Sequence, residues 1–132
     1  MKHKNPYFDD VIATHVLIRQ WLGGEVSDPV FCADLLARFS SDYSMVTTSG
    51  KLLDYASLAA FFSGADGSRP GLKMEITDLR LIQESASGAT VFYREIQSLP
   101  GAEITERFST VAYEKTADGA LLWRHLHETW AA

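Results

Sequence analysis

Residues 121–130 read LLWRHLHETW and directly follow an Asp118-Gly119 pair. An Asp-Gly pair between apolar segments is typical of a β-hairpin turn, so these residues are predicted to form the last strand of a sheet. Alternate side chains of a strand point to opposite faces, which places Glu128 and Trp130 on one face and the two histidines on the other. The fold and any site both depend on which face lies inside the protein.

Three more strands are predicted before this one. Their ranges are Leu72 to Gln83, Ala89 to Ser98 and Glu103 to Lys115, separated by turn residues at 86–88 and 100–101. The alternation of the first is irregular near Asp78, where a β-bulge would restore it. The four consecutive strands are expected to pair as antiparallel neighbours.

The first half of the chain has a helical pattern. Asn5-Pro6 predicts the start of a long helix that ends at Gly23-Gly24, since Pro is favoured in the first turn and Gly after the last. A second helix is predicted from Asp28-Pro29 to about Arg38, a short strand at Asp42 to Thr48, and a third helix after an N-cap at Asp54. Helices followed by strands predict an α+β fold with the helices on one face of the sheet.

Length and composition exclude several classes of protein. The 132 residues, 46% hydrophobic and 22% charged, predict one domain over residues 1–132. A net charge of −5 argues against nucleic-acid binding, and no apolar segment approaches the ~20 residues of a membrane helix. The N-terminus lacks the apolar core of a signal peptide, and the lone Cys32 excludes an internal disulfide, so a cytoplasmic location is expected.

Charges indicate the register of the first hairpin, and turn length indicates that of the second. Pairing Glu95 with Arg107 avoids like charges face to face, and an Ala117–Ala120 pair across a two-residue turn sets Ser109 opposite Glu128. One face then carries Tyr93, Glu95, Gln97, Thr105, Arg107, Ser109, Glu128 and Trp130, with Val91, Val111 and Leu126 deeper. The other face carries Phe92, Ile96, Phe108, Ala112, Leu121, Trp123, His125 and His127. A slip of one residue in the last strand would exchange Glu128 and Trp130 for His125 and His127 on the first face.

The first face contains the candidate site, formed by Tyr93, Glu95, Arg107, Ser109 and Glu128. An Arg fork binds a carboxylate or carbonyl group in two places. A carboxylate in a water-poor cavity can have a raised pKa and move a proton, with Tyr93 donating to a developing oxyanion. The structural alternative is a cross-strand ion pair between Glu95 and Arg107.

Three further features of the sequence, namely His15, the His125–His127 pair and the loop at 64–71, are also candidates for a functional role. His15 lies beside the apolar face of the first helix, either as a core-edge residue or projecting into a cavity. His125 and His127 share a face about 7 Å apart, but a His-x-His pair is a weak metal signal, and packing against a second subunit is preferred, with no metal or cofactor expected. Residues 64–71 form a Gly-rich loop that is expected to act as a mobile flap.

The chain also resembles the NTF2-like superfamily, the cystatin-like α+β cone, and within it the DUF4440, or SnoaL-like, branch. The resemblance is carried by Phe39-x-x-Asp42-Tyr43-Ser44-Met45-Val46-Thr47 with Gly50, by Leu53-Asp54, by Leu58-x-x-Phe61-Phe62, and by Trp123-x-His125-Leu126-His127-Glu128-Thr129-Trp130 after Asp118-Gly119. It implies a curved mixed or antiparallel sheet wrapped around a long N-terminal helix and two shorter helices. It also implies a pocket at the open end of the cone and a homodimer through the sheet.

Three functions follow as hypotheses. The first is binding of a small, partly apolar ligand anchored on Arg107. Its contacts are predicted to be Tyr93, Glu95, Arg107, Ser109, Glu128, Trp130, His15, Tyr43 and Phe62. The second is an isomerase, dehydratase or cyclase with Glu95 or Glu128 as general base and Tyr93 as the electrophilic partner. The third is an assembly module that uses the sheet face at Trp123, His125 and His127.

Overall fold

The computed structural model describes residues 5–132 and contains three helices and six strands in that range. In chain order they are α1 (Pro6–Leu22), α2 (Pro29–Leu36), β1 (Phe39–Val46), β2 (Leu52–Asp54), α3 (Tyr55–Gly64), β3 (Lys73–Ser85), β4 (Gly88–Ser98), β5 (Thr105–Lys115) and β6 (Leu121–Trp130). The predicted α+β class is confirmed, with one long helix, two shorter ones and a curved open sheet.

Each helix begins at the side-chain cap that the sequence indicates. The Asn5 carboxamide accepts the N–H groups of Tyr7 and Phe8, and Pro6 occupies the first helical position. The Asp28 and Asp54 carboxylates cap α2 and α3 in the same way. No helix in residues 5–132 is long and apolar enough to cross a membrane.

The sheet has the strand order β2-β1-β6-β5-β4-β3. The four consecutive strands β3 to β6 pair antiparallel as predicted, whereas β1 lies parallel to β6. The edge strand β2 was not predicted, because three residues are too few to show a period of two. The opposite edge strand, β3, contains the predicted irregularity: Asp78 has a φ of 57° and the pairing shifts between Thr77 and Arg80.

The register between β4, β5 and β6 is confirmed around the candidate site. Glu95 lies opposite Arg107, and Tyr93 lies opposite Ser109. On the other side of β5, Ser109 pairs with Glu128. The carboxylates and the arginine therefore lie on one face of three neighbouring strands.

The turn that leads into β6 differs from the prediction. Thr116, not Ala117, pairs with Ala120, because its N–H donates to the Ala120 carbonyl at 2.8 Å. The pairing then shifts by one residue at Arg124, so that Ala112 faces His125 while Tyr113 faces Trp123. This bulge restores the predicted register for the rest of the strand.

The bulge moves Trp123 to the inner face, and its predicted place on the outer face is wrong. Its side chain is 1% exposed and packs against His15, Phe39 and Tyr113, with ring centroids 5.4 to 5.8 Å apart. The assembly hypothesis therefore loses Trp123 as a contact residue.

One carboxylate, Asp10 on α1, connects the helix layer to the sheet. It accepts the Tyr113 hydroxyl at 2.6 Å and the Trp123 indole N–H at 2.8 Å. It also pairs with the Arg38 guanidinium at 3.0 Å, and Arg38 in turn donates to Thr14. Because its side chain is only 13% exposed, Asp10 satisfies polar groups that would otherwise be buried without partners.

Replacing Asp10 by Ala is expected to lower the free energy of unfolding by about 3 kcal/mol, because two buried donors lose their acceptor and Arg38 loses its counter-ion. Urea denaturation followed by circular dichroism measures this. The matched control is Asp9→Ala, since Asp9 is the exposed neighbour in the same helical turn, and its loss is expected to stay below about 1 kcal/mol. Equal losses in the two variants would contradict the proposed role of Asp10.

Candidate functional site

A cavity of about 440 Å³ lies between α1, α3 and the inner face of the sheet. Its wall is mainly apolar and aromatic, with a few charged groups at one end. The lining residues include Ile18, Leu22, Phe39, Tyr43, Met45, Leu53, Leu58, Phe61, Phe62, Met74, Trp123, Leu126 and Trp130, and the polar residues His15, Thr47, Arg69, Glu95, Gln97, Thr105, Arg107 and Glu128. This size and lining are typical of sites that bind small molecules.

Arg107 on β5 carries a guanidinium that is only partly used by the protein. Its Nη1 donates to Glu128 Oε1 at 3.4 Å, which is long for a charge-assisted hydrogen bond. Its Nε is buried and has no hydrogen-bond partner within residues 5–132. The guanidinium lies 4.9 Å from the centre of the Trp130 ring, so a cation–π contact orients it.

His15 on α1 reaches across the cavity floor to Glu95 on β4. Its Nδ1 lies 2.7 Å from the Val11 carbonyl oxygen, which can only accept, so Nδ1 carries a proton. Its Nε2 lies 3.1 Å from Glu95 Oε1. The pair therefore shares one further proton, and both side chains are nearly excluded from solvent at 6% and 3% exposure.

The electrostatics favour the ionised form of this pair. Burial lowers the pKa of His15, but the charge and hydrogen bond of Glu95 and the Val11 carbonyl outweigh it, so the pKa lies above its ordinary 6.5. Burial raises the pKa of Glu95, but His15, the Gln97 amide and Arg107 lower it to about 2. Glu95 is therefore a carboxylate at neutral pH and a weak base.

Glu128 on β6 has the opposite shift. Burial and the nearby charge of Glu95 raise its pKa above 4.5, and Arg107 and His15 only partly offset this. Its side chain is 9% exposed and makes a single hydrogen bond within residues 5–132, to Arg107. Of the two carboxylates in the cavity, Glu128 is therefore the more easily protonated.

Most of the sequence-predicted site residues surround this cavity. Seven of them line it: His15, Tyr43, Phe62, Glu95, Arg107, Glu128 and Trp130. Tyr93 and Ser109 lie behind the wall at 0% and 1% exposure, because they are one pleat deeper on the same face. The Tyr93 hydroxyl faces His15 Nε2 at 3.5 Å rather than the cavity, and burial and the charges of Glu95 and Glu128 raise its pKa well above 10.0.

Four polar residues of the lining were not predicted as site residues: Thr47, Arg69, Gln97 and Thr105. Gln97 donates to the second oxygen of Glu95, and its position two residues further along the same strand face was the available signal. Arg69 lies at the exposed rim, in the loop that was expected to be a mobile flap. That expectation is not supported, because the N–H groups of Gly67 and Arg69 bond the carbonyls of Trp21 and Leu22 at the end of α1.

The two histidines of β6 lie outside the cavity. His125 bonds the Ser44 hydroxyl through Nδ1 at 2.7 Å, and the rings of His125 and His127 are 6.5 Å apart. Burial and the charges of His127 and Arg124 lower the pKa of His125. Within the described residues, no group of three potential metal ligands occurs here or elsewhere.

Comparisons with solved structures show both similarity of sequence and similarity of fold. An NTF2-like protein of unknown function from Pseudomonas aeruginosa is 43% identical, with 96% of this chain and 98% of that chain covered and a TM-score of 0.89. A cystatin-like domain of unknown function from Nostoc punctiforme is 22% identical over 98% of this chain and 80% of that one, with a TM-score of 0.64.

A third solved structure, the CaMKII hub of S. rosetta, is 15% identical over 98% of this chain and all of that one, with a TM-score of 0.69. At these lower identities the likeness shows the fold alone. No family model matches the chain, and no curated protein matches it either.

The pair formed by His15 and Glu95 predicts a pH-dependent stability. The folded pKa of Glu95, about 2, lies below its ordinary 4.5, so this stabilisation is complete above pH 4.5 and is lost as the pH falls towards 2. Replacing Glu95 by Gln is expected to lower the free energy of unfolding at pH 6 by about 3 kcal/mol. The difference from wild type should shrink to about half at pH 3.

Urea denaturation at pH 6, 4 and 3 measures this difference. The matched control is Glu106→Gln, an exchange on the outer face of β5 where the carboxylate pairs with the half-exposed Arg94. A loss for Glu95→Gln that has the same size at pH 6 and pH 3 would contradict the ionised pair.

Proposed function

The chain belongs to the NTF2-like family, and on that basis we propose that its cavity binds a small, partly apolar ligand through a polar anchor on Arg107. The observation that carries the proposal is the Arg107 guanidinium, which lines the cavity and makes one hydrogen bond, at 3.4 Å, within residues 5–132. A guanidinium fork with so few protein partners can bind a carboxylate or carbonyl group of a ligand that enters the cavity.

The shape of the cavity supports a ligand with an apolar body. Arg107 lies at the charged end with Glu95 and Glu128, and the aromatic rings of Phe39, Phe62 and other residues form the remaining wall. A volume of about 440 Å³ suits a molecule of roughly ten non-hydrogen atoms or somewhat more. We propose that this binding takes place in the cytoplasm, which the single free Cys32 suits.

The enzymatic alternative is supported only in a narrower form. Glu95 is held by His15 and Gln97, and its low pKa makes it a poor base. Tyr93 is fully buried and cannot donate to a molecule in the cavity. Glu128, with its raised pKa, is the remaining candidate for a general base in an isomerase, dehydratase or cyclase.

We also propose that two copies associate through the outer face of the sheet. Phe92 and Phe108 lie there with ring centroids 5.7 Å apart, and Phe108 is 38% exposed. Arg80 covers the Phe92 ring at 4.6 Å. Apolar side chains in such a position are typical of an interface. The related fold in S. rosetta is that of a hub, which is consistent with assembly in this family.

Arg107→Lys is expected to weaken ligand binding about tenfold or more, because lysine keeps the charge beside Glu128 but loses the planar fork. Calorimetric titration with small carboxylates, amides and ketones, from acetate to 3-phenylpropionate and its amide and ketone analogues, measures the affinities. The matched control is Arg94→Lys, which makes the same exchange on the outer face of the neighbouring strand. Binding that is unchanged in the first variant, or absent for every compound, would refute the anchor.

Phe108→Asp is expected to convert a dimer into a monomer, because it places a charge in the centre of the proposed interface. Sedimentation velocity on the wild type and the variant measures the oligomeric state. The control is Ile104→Asp, since Ile104 is 67% exposed in the loop between β4 and β5. A monomeric wild type, or a dimeric Phe108→Asp variant, would contradict this interface.

A further inference from the structure

We infer that the cavity takes up a monocarboxylic acid as two separate parts, the carboxylate on Arg107 and one proton on Glu128. The inference rests on the proposed function and extends it to the class of the ligand. It follows from how the protein divides the charges in the cavity, and from the single weak contact that Glu128 makes.

Glu128 lies where a ligand carboxylate would bind Arg107, but its own contact with the guanidinium is long. Its Oε1 reaches one nitrogen of Arg107 at 3.4 Å, and this is the one hydrogen bond that the guanidinium makes within residues 5–132. A carboxylate that binds an Arg fork in two places makes shorter contacts, of about 2.8 Å. A ligand carboxylate is therefore the better partner for Arg107 and would displace Glu128 from it.

Charge balance then requires a proton. The groups that face Glu128 come from four elements: His15 on α1, Tyr43 on β1, Tyr93 and Glu95 on β4, and Arg107 on β5. Arg69, the other cation of the lining, is exposed at the rim. With both tyrosines neutral, the two buried cations balance the two carboxylates. A ligand carboxylate on Arg107 adds a third negative charge beside these buried groups, where an uncompensated charge is costly.

Glu128 is the group that accepts this proton. Glu95 keeps its hydrogen bonds to His15 and Gln97 when a ligand binds. Glu128, in contrast, loses its hydrogen bond to Arg107, the single side-chain hydrogen bond that it makes within residues 5–132. Burial and the charge of Glu95 already raise the pKa of Glu128. Its side chain is buried on a strand between β1 and β5 and cannot swing out to solvent. The protonated carboxyl then donates to a ligand oxygen.

The same balance selects against other ligands. A neutral amide leaves Glu128 on Arg107 and gains one hydrogen bond at most. A second anionic group on the ligand would lie among the apolar side chains of the wall or at Arg69 on the exposed rim, and neither place offers a buried cation. The expected class is a monocarboxylic acid with an alkyl or aryl body.

Isothermal titration calorimetry tests the inference with hexanoate and 3-phenylpropionate. Titrations at pH 6, 7 and 8, each in two buffers of different ionisation enthalpy, give the number of protons taken up per ligand. Uptake is expected to approach one proton, and the affinity should fall about tenfold per pH unit over the range in which Glu128 is ionised in the free protein and protonated in the complex. In Glu128→Gln the uptake and the pH dependence should disappear, and binding at pH 8 should be tighter than in the wild type.

The control is Glu106→Gln, in which proton uptake should equal that of the wild type because this carboxylate pairs with Arg94 on the outer face. Uptake below about 0.2 protons at every pH, or uptake that persists in Glu128→Gln, would overturn the inference alone. Amides that bind as tightly as their acids would do the same. Failure of acids, amides and ketones alike to bind would overturn the proposed function as well.

Discussion

The Asp10 carboxylate is the interaction on which the position of the site depends. It accepts hydrogen bonds from Tyr113 on β5 and Trp123 on β6 and pairs with Arg38, which lies between α2 and β1. One side chain therefore connects α1 to both strands and to the segment that follows α2. His15 lies little more than one turn further along α1, and its ring packs 5.8 Å from Trp123. The contact between His15 and Glu95 is therefore a consequence of how Asp10 holds the helix on the sheet.

Within the cavity, the protein treats two similar carboxylates differently. Glu95 is held by an imidazole and an amide and has a pKa of about 2, whereas Glu128 has one distant guanidinium nitrogen and a raised pKa. Environments that move the pKa values of neighbouring acids apart assign them separate roles. Here one acid holds α1 to the sheet, and the other is available to respond to a bound molecule.

Much of the fold could be predicted from the sequence because turns, caps and alternation are local signals. The Ala117–Ala120 turn was wrong by one residue, yet Glu128 was still assigned to the correct face, because the bulge at Arg124 compensates for the longer turn. Trp123 lies between the two irregularities and was therefore misplaced. The burial of Tyr93 and the contact between His15 and Glu95 depend on how α1 packs across the sheet. No local sequence pattern indicates this packing.

The bulge at Asp78 also interrupts the exposed edge of the sheet. Strand β3 spans 13 residues at the edge of the sheet, and a straight edge of that length is a template for pairing with other chains. The left-handed backbone at Asp78 divides it into two shorter segments, while the opposite edge strand, β2, has only three residues. The sheet thus presents no long regular edge to other chains within residues 5–132.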